Sequence, residues 1–323
     1  MKTNSSKMMF MSTMMIGIIL SISSNNWMMM WCGLEISLIS FIPLMINKLV
    51  ISSESSMKYF IVQSISSLML MLSMLIMVMK GDYNYNYVFA ASLLMKMGVA
   101  PFHNWVLTVL EGLDHYMVII MLTINKITPL TLMSYTSNNL MLIICLTMII
   151  GSMMSLNQNS IKKLIGYSSI FNMGLVLSIL NINLMWIMFM ILYSILIFMI
   201  IKTTLMMKTS FINQMIFSDK VVNKLSIWMI LLSMGGLPPM MGFTLKYITI
   251  AYMIEMKFIF MITLMVMLSL IVMMMYLRMT FMSMLNNSMI NKTSIFNMKS
   301  ISMWMMMLNT LSLPMILMFK LIN

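Results

Sequence analysis

Long runs of Met, Ile, Leu and Phe alternate with short clusters of Asn, Ser, Thr and Lys along nearly the whole chain. A run of about 20 apolar residues is enough to cross a bilayer as a helix. Read against the polar punctuation, the runs predict eleven spans at 8–22, 27–46, 57–79, 87–110, 116–135, 139–156, 164–180, 184–206, 225–253, 258–282 and 301–320. Lipid offers no partner to an exposed backbone, so apolar runs of this length are expected to be helical. Two spans are broken internally. The fourth carries Gly98-Val99-Ala100-Pro101-Phe102-His103 directly after Lys96, and the ninth carries Gly235-Gly236-Leu237-Pro238-Pro239-Met240-Met241-Gly242-Phe243 just before Lys246. Proline removes a backbone donor and clashes with the preceding turn, so both helices should kink or unwind there. Pro129 predicts a further kink beside Lys126 in the fifth span.

Composition sharpens this picture. The chain is 61% hydrophobic and 8% charged, with a mean hydropathy of +0.99, values foreign to a soluble globular domain of 323 residues. The expected fold class is an all-α polytopic membrane protein, a single transmembrane domain over 1–323. Its first half-channel falls around 27–135, its second around 139–282, and a terminal helix at 301–320. The broken fourth and ninth spans share a plan, and their separation of about five spans suits an inverted repeat of two five-helix units.

The net charge of +12 comes from scattered lysines, with no aromatic-interleaved basic face, so nucleic acid is not an expected partner. Cys32 and Cys145 both lie in spans and make no disulfide framework. The 56 methionines suggest soft Cu(I) ligation, but they are spread through every span among many Ile, Asn, Ser and Phe. Apolar filler is the simpler reading. That profile fits an A+T-rich gene read with ATA as Met, as in an invertebrate-type mitochondrial code. The opening Met1–Lys7 shows neither a cleavage site nor an Arg-rich presequence, so no import signal is expected.

If the N-terminus marks one side, that side collects Lys2, Lys7, Lys48, Lys58, Lys162, Lys163, Lys202, Lys208, Lys220, Lys224, Arg278, Lys292 and Lys299. The other side has Lys80, Lys257 and Lys320. This asymmetry places the N-terminus inside, in the matrix of a mitochondrion, and supports an odd number of spans.

Three lysines, Lys96, Lys126 and Lys246, and one carboxylate, Glu35, remain inside the apolar runs. A charge at the centre of a membrane helix costs on the order of 2.5–3.5 kcal/mol on insertion scales, so several in one chain argue for function. Low dielectric disfavours the charged form of a lysine, which lets a moving counter-charge switch its proton affinity. Glu35 is the natural partner of Lys96, from which a proton would pass to Lys126 and then Lys246. Static ion pairs between helices are the alternative, though one carboxylate cannot neutralise three lysines. His103, just beyond the first break, is a possible relay or else bonds the carbonyls freed by the kink. His115 lies in a loop with Glu111 and Asp114. Thr123, Asn125, Thr128, Ser134, Tyr167, Ser168, Ser169 and Asn172 offer polar sites for a water chain.

Two histidines are too few for bis-histidine haem ligation at bundle depth or for an oxidase core. Arg278 lies near a span end, unlike the intramembrane arginine of a rotary-synthase channel. No phosphate-binding loop, iron–sulfur cysteine pattern or nucleophile elbow appears, so no redox centre and no metal site are expected in this chain.

Four segments carry a resemblance. Leu94-Met95-Lys96-Met97-Gly98-Val99-Ala100-Pro101-Phe102-His103-Asn104-Trp105, Asn125-Lys126-Ile127-Thr128-Pro129-Leu130, the run Ser155–Ile170, and Gly235-Gly236-Leu237-Pro238-Pro239-Met240-Met241-Gly242-Phe243-Thr244-Leu245-Lys246 occur in order. They resemble the family of mitochondrial NADH dehydrogenase subunit 2, antiporter-like membrane subunits of the proton-pumping respiratory complex I. The opening, with Trp31-Cys32-Gly33-Leu34-Glu35 and Pro43-Leu44, is similar to insect-type members, and the likeness runs from residue 1 to about 282.

The resemblance implies an eleven-span form lacking three N-terminal helices of bacterial relatives, with Glu35, Lys96, Lys126 and Lys246 as the charged residues of proton translocation. It implies residence in the mitochondrial inner membrane, next to other complex I membrane-arm subunits, including neighbouring antiporter-like subunits, and to lipids such as cardiolipin. NADH, FMN, iron–sulfur clusters and ubiquinone would all sit in other subunits. An Mrp-type cation/proton antiporter subunit is the alternative with the same fold. The chain departs from the common family pattern at Leu245-Lys246-Tyr247, where Pro-Lys-Trp is usual, and at Asn125, where an aromatic or Gln is usual.

Overall fold

The computed structural model describes residues 5–47, 49–80, 86–136, 140–217, 221–284 and 300–310. Among these the regular structure is helical, and the β contact seen is an isolated bridge between Ser160 and Phe211. Every predicted span coincides with helix, wholly or in part. Six helical stretches are long and apolar enough to cross a membrane: Ser5–Ser23, Trp27–Met45, Val50–Met79, His115–Ser134, Asn183–Met207 and Ile259–Ser283. Met141–Ser155 and Lys224–Gly235 are shorter apolar helices. The chain divides into two compact units, residues 1–143 and 144–323.

The first unit is built from α1 (Ser5–Ser23), α2 (Trp27–Met45), α3 (Val50–Lys80), α4 (Asn86–Met97), α5 (Asn104–Gly112), α6 (His115–Leu122) and α7 (Ile124–Ser134). Helix α3 starts well before the apolar run at 57, because Ser52–Ser56 continue the helix beyond it. There Lys58 and Glu54, one turn apart, form an exposed ion pair at 2.8 Å, a kind of contact that adds little stability. Helices α1 and α2 meet backbone to backbone. A Cβ on Gly33 would lie 2.7 Å from the Gly17 carbonyl oxygen, and one on Gly17 would lie 2.9 Å from that of Gly33. Lipid gives apolar helices no hydrophobic drive to associate, so close approach through small residues supplies the dispersion contact instead. Helix α2 then packs on α3, which holds both halves of the broken fourth span, α4 and α5.

The second unit contains α8 (Met141–Ser155), α9 (Ile161–Ser178), α10 (Asn183–Met207), α11 (Val221–Gly235), α12 (Met241–Glu255), α13 (Ile259–Met284) and α14 (Ser300–Thr310). Helix α8 begins at the boundary between the units. The turn between α8 and α9 leaves carbonyls outside either helix, which creates a need for donors from elsewhere. Arg278 of α13 meets it: Nη1 donates to the Leu156 carbonyl at 2.6 Å and Nη2 to that of Gln158. On the far side of the turn, the Ile161 N–H donates to the Ser210 carbonyl and the Ile212 N–H to that of Asn159.

Two expectations need correcting. The fifth span breaks at Thr123, between α6 and α7, and Pro129 sits inside α7. The Thr123 hydroxyl donates to the Ile119 carbonyl at 2.7 Å and its backbone is twisted to ψ −73, so the interruption lies ahead of the proline. Lys224, assigned to a loop from its charge, lies in α11 with 2% of its surface exposed. Lys2, Lys48, Lys220, Lys292, Lys299 and Lys320, and residues 311–320 of the terminal helix, fall outside the described residues.

Replacing Gly33 with Leu should force α1 and α2 apart, costing more than the roughly 1–3 kcal/mol typical of overpacking. The expected outcome is a sharp fall in assembled, detergent-extractable protein on native gels, with Gly33→Ala showing a milder fall.

Candidate functional site

The two broken helices close their first halves in the same way. In the first unit, the Gly98 N–H donates to the Met95 carbonyl at 3.2 Å and the Val99 N–H to that of Leu94 at 3.1 Å. In the second, the Gly236 N–H donates to the Ser233 carbonyl at 2.9 Å and the Leu237 N–H to that of Leu232 at 3.3 Å. This nested pair of bonds, closed by a left-handed residue, is the Schellman termination. Gly98 and Gly236 supply that residue, with φ of +68° and +80°. A third bond also repeats, from Phe102 to Val99 and from Met240 to Leu237. The donors and acceptors of these three bonds therefore recur 138 residues later, as 94 to 232 and 102 to 240 show.

The lysines sit differently on the two breaks. Lys96 lies in the last turn of α4, two residues before Gly98, with 8% of its surface exposed. Its own carbonyl accepts from Gln63 Nε2 of α3 at 3.2 Å, and the carbonyl of Met95 accepts from Trp105 Nε1 of α5 at 3.1 Å. Lys246 lies on α12, ten residues after Gly236, yet its ammonium reaches back to the break. Its Nζ donates to the Gly235 carbonyl at 2.5 Å, at the negative end of the α11 dipole, where a cation is well placed. Gly236 suits this position by its positive φ, and a Cβ there would come within 2.7 Å of Lys246 Cε and push the lysine head aside.

Glu35, Lys96 and Lys126 belong to the first unit. Glu35, on α2, is partly buried; its Oε1 is buried and has no hydrogen-bond partner among the described residues. Its charge acts on both Lys96 and Tyr59, although no carboxylate oxygen comes within 4 Å of the Lys96 ammonium. The two are electrostatic neighbours across a gap. Lys126, on α7, has 5% of its surface exposed. Lys96 and Lys126 line one cavity of about 30 Å³, together with Ser37, Tyr59, Gln63, Trp105, Asn125 and Thr128. A space that size takes roughly two waters. The aromatic wall is stiffened by Phe41 edge-on to Tyr59 at 5.3 Å and by Tyr59 tilted on Trp105 at 5.9 Å.

His103 stands in the first break, 9% exposed, with Nδ1 at 3.2 Å from the Pro101 carbonyl. It thus engages the unwound backbone itself. His115 opens α6 rather than lying free in a loop.

Gln63, Tyr59 and Trp105 escaped the search for charged residues, yet they cap or wall the site. The lone amide of Gln63 in the apolar run 57–79 was the available signal. The second unit holds another group that a charge search misses. Tyr193 of α10 lies beside Ser169 and Asn172 of α9, and Tyr276 of α13 lies beside Ser168. Both phenols are almost wholly buried, and neither completes a hydrogen bond of good geometry. Ser168, Ser169 and Asn172, expected to hold water, thus line up with two tyrosines that the sequence reading passed over.

Over residues 24–88 and 83–272 the sequence matches the transmembrane family described as NADH:quinone oxidoreductase/Mrp antiporter. The chain belongs to that family. It is 39% identical to NADH-ubiquinone oxidoreductase chain 2 of Anopheles gambiae over 272 residues, covering 80% of each protein. It is 43% identical to the Aedes aegypti protein of the same name over 268 residues, covering 78% of each. Its fold matches a chain of respiratory complex I from Thermus thermophilus with a TM-score of 0.82, covering 97% of this chain and 81% of that one at 18% identity. Family, relatives and fold agree with the resemblance read from the four motifs, and the antiporter-like helical architecture is the one expected.

Gly236→Ala should cost about 1–2 kcal/mol for the left-handed backbone alone and displace the Lys246 head from the Gly235 carbonyl. The check is heat-induced loss of the assembled protein on native gels, where Gly235→Ala, with its Cβ at 3.4 Å or more from its neighbours, should be far milder.

Proposed function

We propose that this chain is a membrane-arm subunit of a proton-translocating NADH:ubiquinone oxidoreductase, and that Glu35, Lys96, Lys126 and Lys246 carry protons across the mitochondrial inner membrane. The observation that carries the reading is the shared cavity: two lysines, each more than nine-tenths buried, open onto one polar space with room for water. At Lys96, an ammonium placed for structure alone would be expected to close on Glu35. Glu35 instead acts on Lys96 from beyond contact distance, an arrangement in which a small displacement changes the lysine's hold on its proton.

The redox chemistry of such a system is supplied elsewhere. On this reading NADH, FMN, the iron–sulfur clusters and ubiquinone are held by other subunits, and this chain answers to them through neighbouring membrane-arm subunits. The N-terminus faces the matrix, and lipids such as cardiolipin fill the outer grooves. His103 serves as a relay at the first break. The family also embraces Mrp antiporters, but the insect relatives at 39% and 43% identity bear the oxidoreductase name, which favours the respiratory reading.

Lys126→Met in the intact assembly, reconstituted in sealed vesicles, should lower the ratio of protons moved to electrons transferred while assembly is preserved. An unchanged ratio at unchanged turnover would overturn the proposal. Lys96→Met should act in the same direction, since both lysines serve one cavity.

A further inference from the structure

Asn125 is the residue before Lys126 on α7, and it lines the same cavity as Lys96 and Lys126. Both its Nδ2 and its Oδ1 are buried, and neither has a hydrogen-bond partner among the described residues. An unmade hydrogen bond on a buried amide is costly, so two on one side chain demand an explanation. Three of the polar groups that share the cavity are already engaged. Gln63 is committed to the Lys96 carbonyl, Trp105 to that of Met95, and Ser37 to that of Leu34. Pro129, four residues on, has no N–H to offer the Asn125 backbone carbonyl, which adds to the demand for donors here.

The cavity meets that demand. Its volume of about 30 Å³ accepts roughly two waters, and a buried water needs two to four polar partners. Two lysines alone serve such a water poorly, because an ammonium only donates and two cations repel. A carboxamide donates and accepts at once and does not titrate, so it can fix the water's orientation whichever lysine holds the proton.

We infer that Asn125 is a positioning residue that holds a water between Lys96 and Lys126. This rests on the proton-carrying role proposed above and adds the group that makes transfer between these two lysines possible. In the step itself, the Lys96 ammonium gives a proton to the held water as that water gives one of its own to the neutral amine of Lys126. One O–H bond forms as another breaks, the positive charge moves from one nitrogen to the other, and the water is regenerated. Asn125 gains and loses nothing.

Three variants of the intact assembly, Asn125→Leu, Asn125→Gln and Lys126→Met, are compared in sealed vesicles by proton-to-electron ratio and by its change in D2O. A high-resolution cryo-EM map of the unmodified assembly is examined for water within 3.2 Å of the Asn125 amide. The expected result is water density on the amide, a ratio lowered by Asn125→Leu to the level of Lys126→Met, and recovery in Asn125→Gln, which restores donor and acceptor. If Lys126→Met lowers the ratio and Asn125→Leu does not, the inference fails and the proton-carrying reading stands. If neither lowers it, both fail. Should Asn125→Leu not assemble, the map decides: no density at the amide overturns the inference.

Discussion

A helix that stops inside a membrane leaves carbonyls that only protein groups or water can satisfy, and both units of this chain are organised around that demand. In the first, Gln63 and Trp105 reach in from α3 and α5 to bond the carbonyls of Lys96 and Met95. In the second, Lys246 reaches back along α12 to the carbonyl of Gly235. The first break is stabilised by neutral donors and the second by an ionisable one. A proton on Lys246 is thereby tied to the end of α11, whereas one on Lys96 is free to answer to Glu35 and to the cavity.

Much of this was legible in the sequence, because the physics that governs it is local. An apolar run of span length is helical in lipid regardless of its neighbours, and Gly next to Pro breaks it wherever it occurs. The repeat of the breaks was visible as a shared Gly/Pro plan, and the structure extends it to matching hydrogen bonds. The buried charges announced themselves through their cost. What the sequence could not display were contacts between distant segments. Gln63 lies 33 residues from the carbonyl it serves, and Arg278 lies more than a hundred from its two. Pro129 drew attention away from Thr123, where the fifth span breaks. Lys224 was misplaced because charge suggests a loop, yet α11 begins before it and buries it. Tyr193 and Tyr276 passed as ordinary aromatics, since only packing shows that their hydroxyls face the serines of α9.

The two units solve the problem of a buried ammonium by different means. Around Lys96 and Lys126 the protein provides a cavity, a distant carboxylate and an amide with both ends unspent. Around Lys246 it provides the end of a half-helix, a distributed negative charge that needs no carboxylate. An arrangement held by a helix end is fixed by the backbone, while one held by a side chain is set by a rotamer. The first unit is therefore the more readily adjusted of the pair.

The glycine contact between α1 and α2 bears on how such an adjustment can occur. With the Gly17 and Gly33 backbones touching, the two helices have no side-chain cushion along which to slide. Glu35 stands two residues from Gly33 on the same helix, so its backbone is tied to α1. Mechanically, the backbone beneath that carboxylate is an anvil.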